Sequence, residues 1–231
     1  MILEMENIFD SREEASVAAA ERIVAALARR LDAQGKASVV VSGGTSPAGV
    51  FAELAKTGLA WPGVHVVLSD ERWVPPDHED SNEKLVRETL LQGAAQEAKL
   101  LPVYRHGATP EERCAEINEQ LRQAPFPFAC ALLGMGADGH FASLFPDAEN
   151  LREGLDVDSR QLCIPVRTAA SPHPRVSLTL SALSRSDVIV LLFFGDAKRD
   201  VYEAARTSTN GSPVSHLLRQ KRAPVHVYWA P

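Results

Sequence analysis

Strand signals and helix signals alternate along almost the whole of this 231-residue chain. Short β-branched or apolar runs stand at Ser38–Val41, Val64–Ser69, Phe128–Leu133 and Asp187–Phe194. Between them lie segments with apolar residues at helical spacing, such as Val17, Ala20, Val24, Leu27 and Leu31. Strands that alternate with helices pair in parallel, and a parallel sheet needs cover on both faces. The pattern therefore predicts an α/β fold. Parallel strands put their C-terminal ends on one edge, so the loops after Val41, Ser69, Leu133 and Phe194 can converge there.

Helix boundaries are marked in several places. Ser11 and Glu14 have the spacing of a capping box, and Gly35 ends that helix. Ser46 is expected as an N-cap with Pro47 as the first helical residue. Asp80-Ser81-Asn82 starts a helix to about Leu91, and Thr109-Pro110-Glu111-Glu112 a second capped helix to about Leu121. Leu162–Val166 reads as a strand, and Pro165 suggests an edge. Arg175–Leu180 reads as half-buried, and Val225–Trp229 as a last short strand. The prolines of Thr168–Pro174 make a loop, in which His173 reads as a surface histidine. Ser208–Pro213 is expected to be a mobile loop.

Four strand ends carry chemistry. After Val41 comes Ser42-Gly43-Gly44-Thr45-Ser46-Pro47, a glycine turn into a helix start. Free N–H groups and the positive helix end make that an anion site. It lacks the Lys-Ser/Thr ending of a nucleotide P-loop. After Ser69 comes Asp70-Glu71-Arg72-Trp73-Val74-Pro75-Pro76, acids and an arginine on a loop stiffened by two prolines. After Leu133 comes Gly134-Met135-Gly136-Ala137-Asp138-Gly139-His140. Its G-x-G-x-x-G spacing resembles a dinucleotide fingerprint. That fingerprint needs a long helix next and an acid ending a second strand, whereas here Pro146 interrupts early. After Phe194 comes Gly195-Asp196-Ala197-Lys198, with a lysine in a helix's first turn, where the dipole disfavours a cation and a nearby anion would favour one.

Composition narrows the partners. The net charge of −6, from 30 acidic and 24 basic side chains, disfavours nucleic acid and anionic membrane. The longest apolar run, Val188–Phe194, is far below the roughly 20 residues of a membrane span. The N-terminus has no basic region followed by an apolar stretch, so no signal peptide is expected and a cytoplasmic location is. Cys114, Cys130 and Cys163 form neither a metal-ligand spacing nor a disulfide framework and read as reduced core thiols. No metal or cofactor is expected. No G-x-S-x-G elbow is present. What remains is His140 beside Asp138, an anion-binding turn, and Arg72, Arg175 and Lys198. This inventory suits acid–base chemistry on a phosphorylated small molecule, with His140 as general base. The sequence does not give the oligomeric state.

These residues resemble the 6-phosphogluconolactonase family, hydrolases of the second step of the oxidative pentose phosphate pathway. The likeness runs over nearly the whole chain. It includes Ser42–Pro47, Asp70–Pro75, Ser81-Asn82, Gly134–Pro146, Arg175 with its strand, and Gly195–Lys198. The resemblance implies one domain over residues 1–231, of the three-layer, mostly parallel Rossmann-like type shared with glucosamine-6-phosphate deaminase and ribose-5-phosphate isomerase. It implies that His140 activates water against the lactone carbonyl and that Asp138 helps place it, with Arg72 as a third catalytic group. It implies a substrate site of Ser42, Gly43, Gly44, Thr45, Asp70, Arg72, Gly136, Arg175 and Lys198.

Two features depart from the family pattern. Phe141 stands where a smaller Thr or Ile is usual, which either narrows the pocket or fills core. The chain also stops at Pro231, short of a common acidic, alanine-rich end. Two alternatives are weighed on the same scaffold. A deaminase or isomerase typically carries Asp-Glu-Tyr at Asp70–Arg72 and an Asn-Glu-Pro run after the histidine loop, where this chain has Ser143-Leu144-Phe145-Pro146. A non-catalytic sugar-phosphate sensor carries a DNA-binding helix-turn-helix, for which the N-terminal segment leaves one helix only.

Overall fold

The computed structural model describes residues 4–207 and 211–231. In chain order its elements are β1 (Glu4–Ile8), α1 (Arg12–Gln34), β2 (Ala37–Val41), α2 (Ala48–Ala55), β3 (Val64–Leu68), β4 (Asp70–Arg72) and α3 (Asn82–Thr89). Then follow β5 (Lys99–Leu100), α4 (Pro110–Gln123), β6 (Cys130–Leu133), α5 (Leu151–Leu155), β7 (Cys163–Val166) and β8 (Arg175–Leu178). Last come α6 (Leu180–Leu183), β9 (Ile189–Phe194), α7 (Asp196–Thr207), α8 (Pro213–Arg219) and β10 (Val225–Ala230).

Seven strands form one sheet in the order β1-β10-β9-β6-β2-β3-β5, and every pair is parallel. Its middle strands are mostly apolar because both faces are covered. β2 and β6 have no exposed residue. Helix α1 packs across β2, β6, β9 and β10. Its buried stripe is Ala15, Ser16, Ala19, Ala20, Ile23, Ala26 and Leu27, and Val17, Val24 and Leu31 lie half-buried at its margin. Ala20 and Leu27 of the expected face are in the stripe, which is rotated from the rest of that face toward Ala15, Ala19 and Ile23. Ser11 caps α1 by accepting from the Glu14 N–H, and Gly35 closes it at φ 68°.

From β2 the chain moves outward to β3 and β5, returns to the other side of β2 as β6, and continues through β9 to β10. The β2–β6 junction is therefore the switch point where neighbouring strands send their following segments in opposite directions. Ligands bind at such a point in open α/β sheets.

Several expectations change. Asp70–Arg72 is a strand, β4, in a second, antiparallel sheet of order β4-β8-β7. Its charged composition hid it, since its partners are supplied from a hundred residues away. Ser46 does not cap α2: the helix starts at Ala48 after Pro47, with no side-chain cap. Strand β6 starts at Cys130 and β9 at Ile189, each two residues later than expected. β1, β5, α5, α6 and α8 were not anticipated, being short, polar or both. Pro165 does lie on an edge strand, β7. Of the loop expected at Ser208–Pro213, residues 208–210 lie outside the described residues, and Pro213 opens α8. The three cysteines are buried and unbonded, with Cys114 and Cys163 sulfurs 3.3 Å apart. No helix among the described residues is long and apolar enough to cross a membrane.

Candidate active site

At the switch point lies a cleft of about 390 Å³. The segment after β2 forms one wall. Ser42 is buried there, its hydroxyl 2.9 Å from Ser69 Oγ and 3.1 Å from the Leu132 carbonyl. Gly43 has no room for a side chain: a Cβ would stand 1.9 Å from Asn82 Oδ1. Gly43, Gly44, Thr45 and Ser46 all face the cleft, leading into the uncapped start of α2. A helix start without a side-chain acceptor leaves N–H groups for an anion.

The segment after β6 forms the opposite wall. Gly134, Met135, Gly136 and His140 face the cleft. The turn closes on itself: the Gly136 N–H donates to the His140 carbonyl at 2.9 Å and the Gly139 N–H to the Gly136 carbonyl at 3.1 Å. His140 Nδ1 lies 2.6 Å from Asp138 Oδ1, and the same oxygen accepts the His140 backbone N–H at 3.1 Å. A carboxylate on Nδ1 holds the proton there and leaves the Nε2 lone pair as the acceptor. The ring packs on that of Phe145, tilted by 33° with centroids 4.1 Å apart. Gly136 makes the pair possible, because a Cβ there would meet His140 Nδ1 at 2.2 Å and Asp138 Oδ1 at 2.6 Å.

The floor is polar and connected. Asp70 is 7% exposed. It accepts from Ser69 at 2.7 Å and from Ser143 at 2.5 Å, and lies 3.5 Å from Arg175. Arg175 also reaches Ser143 and Ser171, and its guanidinium lies over the Phe145 ring that His140 stacks on. Burial lowers the Arg175 pKa, with Asp70 opposing the shift. Arg72 stands opposite Arg175 in the β4–β8 ladder. It donates to the Asp80 carbonyl at 2.9 Å and to Asn82 Oδ1 at 3.1 Å. Like charges directly opposite in a ladder are unfavourable. Lys198, in the first turn of α7, is half-buried; burial and then Arg12 lower its pKa. Among the described residues neither Arg72 nor Lys198 has a carboxylate within ion-pair distance. The cleft therefore holds cationic charge that an anion would balance.

Of the residues singled out from sequence, Ser42, Gly43, Gly44, Thr45, Asp70, Arg72, Gly136, His140, Arg175 and Lys198 all line the cleft. Asp138 stands behind His140. Three residues the sequence did not assign also matter. Asn82 ties Arg72 to the Asp70 carbonyl, Ser143 joins Asp70 to Arg175, and Phe145 stacks on His140 and Arg175. All three sit in stretches singled out above, at Ser81-Asn82 and Gly134–Pro146. Glu71 was also missed. Burial raises its pKa while the backbone N–H groups of Asn82, Glu83 and Arg72 pull it down, and it anchors the start of α3. His173 is not a plain surface residue, since its Nε2 lies 3.1 Å from Asp80. Among the described residues no group of three or more His, Cys, Asp or Glu could hold a metal ion.

Residues 10–229 match the family described as glucosamine-6-phosphate isomerases/6-phosphogluconolactonase. The chain belongs to this family. It is 39% identical to the 6-phosphogluconolactonase of Mesorhizobium japonicum, over 97% of this chain and 94% of that one. It is 41% identical to that of Caulobacter vibrioides, over 96% and 95%. The crystal structure of a 6-phosphogluconolactonase from Shewanella baltica OS155 superposes with TM-score 0.94 at 36% identity, covering 99% of this chain and 98% of that one. A monomeric glucosamine-6-phosphate deaminase, 17% identical with TM-score 0.72, shares the fold. Within the family pattern, Phe141 is resolved as core: it is fully buried and absent from the cleft wall.

The close fit at Gly136 has a consequence for the pair it supports. An alanine at 136 should part His140 from Asp138, seen in a crystal structure of the variant as loss of the 2.6 Å contact. A contact that survives would show that the loop yields instead.

Proposed function

We propose that this chain, as one domain in the cytoplasm, hydrolyses 6-phospho-D-glucono-1,5-lactone to 6-phosphogluconate. The observation that carries the reading is one cleft lined by a histidine backed by a carboxylate, a glycine turn that leads into an uncapped helix start, and three cations. The names of the relatives and the Gly134–Pro146 stretch point the same way.

In this reading His140 Nε2 takes a proton from water, and the hydroxide adds to the lactone carbonyl. The tetrahedral intermediate collapses by breaking the bond from that carbon to the ring oxygen. The imidazolium returns its proton to the departing ring oxygen, which becomes a hydroxyl, and the acid product ionises. Asp138 holds the tautomer and stabilises the imidazolium. Lys198, Thr45 and Ser46 also line an adjoining cavity that lacks Arg72, Arg175 and His140, so these three are assigned the phosphate. Arg175 lies over the ring that supports His140, so the arginine pair stands at the reacting end and stabilises the oxyanion. A lactone is already an activated acyl group. The enzyme needs only a placed base, donors for the oxyanion and a held substrate.

The phosphate requirement tests the function. With 6-phosphogluconolactone, kcat/KM should exceed that for unphosphorylated gluconolactone by about 10–100-fold, the worth of a charge-assisted contact of about 1.5–3 kcal/mol. Equal values would remove the phosphate site.

The base is tested separately. His140→Asn should lower kcat by at least about 10²-fold, the low end for general base catalysis, and change product affinity little. A folded variant with near-normal kcat would send the search for the base to Asp70 or Asp138.

Lys198 gives a pH test. Its lowered pKa means that its charge is complete at low pH and is lost as pH rises, before the ordinary lysine value of 10.5 is reached. Affinity for 6-phosphogluconate should therefore fall in the alkaline range, and Lys198→Arg, which stays charged, should remove the fall. An identical fall in both proteins would place Lys198 outside the phosphate site.

A further inference from the structure

The segment 168–174, whose Ala170 lines the cleft, is tied down at three points. At its start, Thr168 Oγ1 donates to Asp147 at 2.5 Å and the Ala169 N–H to the same carboxylate at 2.9 Å. Asp147 directly follows the Phe145-Pro146 end of the histidine loop. In the middle, Ser171 Oγ accepts from Arg175 Nε at 3.0 Å and donates to the His173 carbonyl at 3.1 Å. At its end, His173 Nε2 lies 3.1 Å from the Asp80 carboxylate. The Trp73 N–H also donates to the Pro174 carbonyl at 2.8 Å, extending the β4–β8 pairing past Arg72.

Asp80 has two jobs at once. Its carboxylate meets His173, and its backbone carbonyl is one of the two oxygens that hold Arg72. Among the described residues Arg72 has no carboxylate within ion-pair distance to fix it, and it faces the like charge of Arg175 across the ladder. Its direction therefore depends on where the turn 75–81 puts that carbonyl. His78 braces this turn: its Nδ1 accepts the Asp80 N–H at 3.1 Å, and its ring meets the His173 ring edge-on with centroids 5.6 Å apart. Because His78 Nδ1 is an acceptor there, the group donating to the Asp80 carboxylate is His173.

We propose that His173 and Asp80 are positioning residues for Arg72, joining the 168–174 strap to the turn that carries the Arg72 acceptor. This rests on the lactonase reading above. The strap thereby sets both arginines, Arg175 through Ser171 and Arg72 through Asp80.

The test is a coupling measurement on purified full-length protein. His173→Phe keeps an aromatic ring against His78 but cannot donate to Asp80. It should lower kcat/KM for 6-phosphogluconolactone about 3–10-fold, the worth of one hydrogen bond, with the same split between KM and kcat as Arg72→Ala shows. His173→Gln, whose amide can still donate, should recover to within about two-fold of the parent. In an Arg72→Ala background, His173→Phe should add less than about two-fold, because both act on one group. An unchanged kcat/KM in His173→Phe would overturn the proposal. So would a loss that persists in full without Arg72, or one that Gln does not rescue. Should His173→Phe fail to fold, Asp80→Asn and Asp80→Ala supply the same comparison, Asn being expected near the parent and Ala reduced. A parent protein inactive on the lactone would refute the functional reading instead. The strap would then be judged by affinity for 6-phosphogluconate in the same variants.

Discussion

Everything in this site hangs on Ser69, the residue between the two sheets. Its N–H donates to the Val41 carbonyl at 2.8 Å, as the last rung of the β2–β3 pairing. Its own carbonyl accepts the Leu178 N–H at 2.8 Å, as the first rung beside β4. One fully buried residue thus ends the parallel sheet and starts the antiparallel one. Its hydroxyl meets Ser42 on one side and donates to Asp70 on the other. The glycine turn after β2 and the acidic floor under Arg175 are held in a fixed relation by that junction. A buried hydroxyl left without a partner costs about 1–3 kcal/mol, so such a chain of polar groups is stable only when every member is satisfied.

The two sheets divide the work. The parallel sheet presents the glycine turn and the Asp138–His140 pair at the ends of β2 and β6. Those strands are buried on both faces and paired directly to each other. Each fully buried valine of β2 contributes about 1.5–3 kcal/mol to holding them. The antiparallel sheet presents the arginine pair. Its strands are three or four residues long and could not stand alone. They persist because Glu71 anchors the start of α3 and α4 packs on β7.

Which parts were legible follows from this division. The central parallel strands β2, β3, β6 and β9 are mostly apolar runs of four to six residues, so the sequence pattern marks them, and with them the four converging loops. His140, Asp138 and Gly136 were found because glycines crowd one strand end. β4 was read as a loop because Asp70-Glu71-Arg72 is wholly charged. Its strand character comes from β8, about a hundred residues away, and no local signal carries that. The start of α2 was misplaced because Ser46 and Pro47 satisfy the usual preferences, while the backbone keeps them in the turn. His173 was set aside because its partner, Asp80, is distant in sequence and joined to it only through the β4–β8 pairing.

The net charge of −6 also takes its meaning from this arrangement. At physiological ionic strength, exposed charges are screened over about 8 Å, so the acidic surface acts weakly on a ligand inside the cleft. Arg72 and Lys198 line the cleft itself and, among the described residues, have no carboxylate within ion-pair distance. Arg175 is held by Asp70, yet burial still works against its charge. Two arginines facing each other across a ladder, and a lysine in a helix's first turn, are each unfavourable alone. An anion in the cleft relieves both at once. In the proposed reading a phosphorylated, oxyanion-forming substrate supplies that anion, and a net charge of this sign works against larger polyanions.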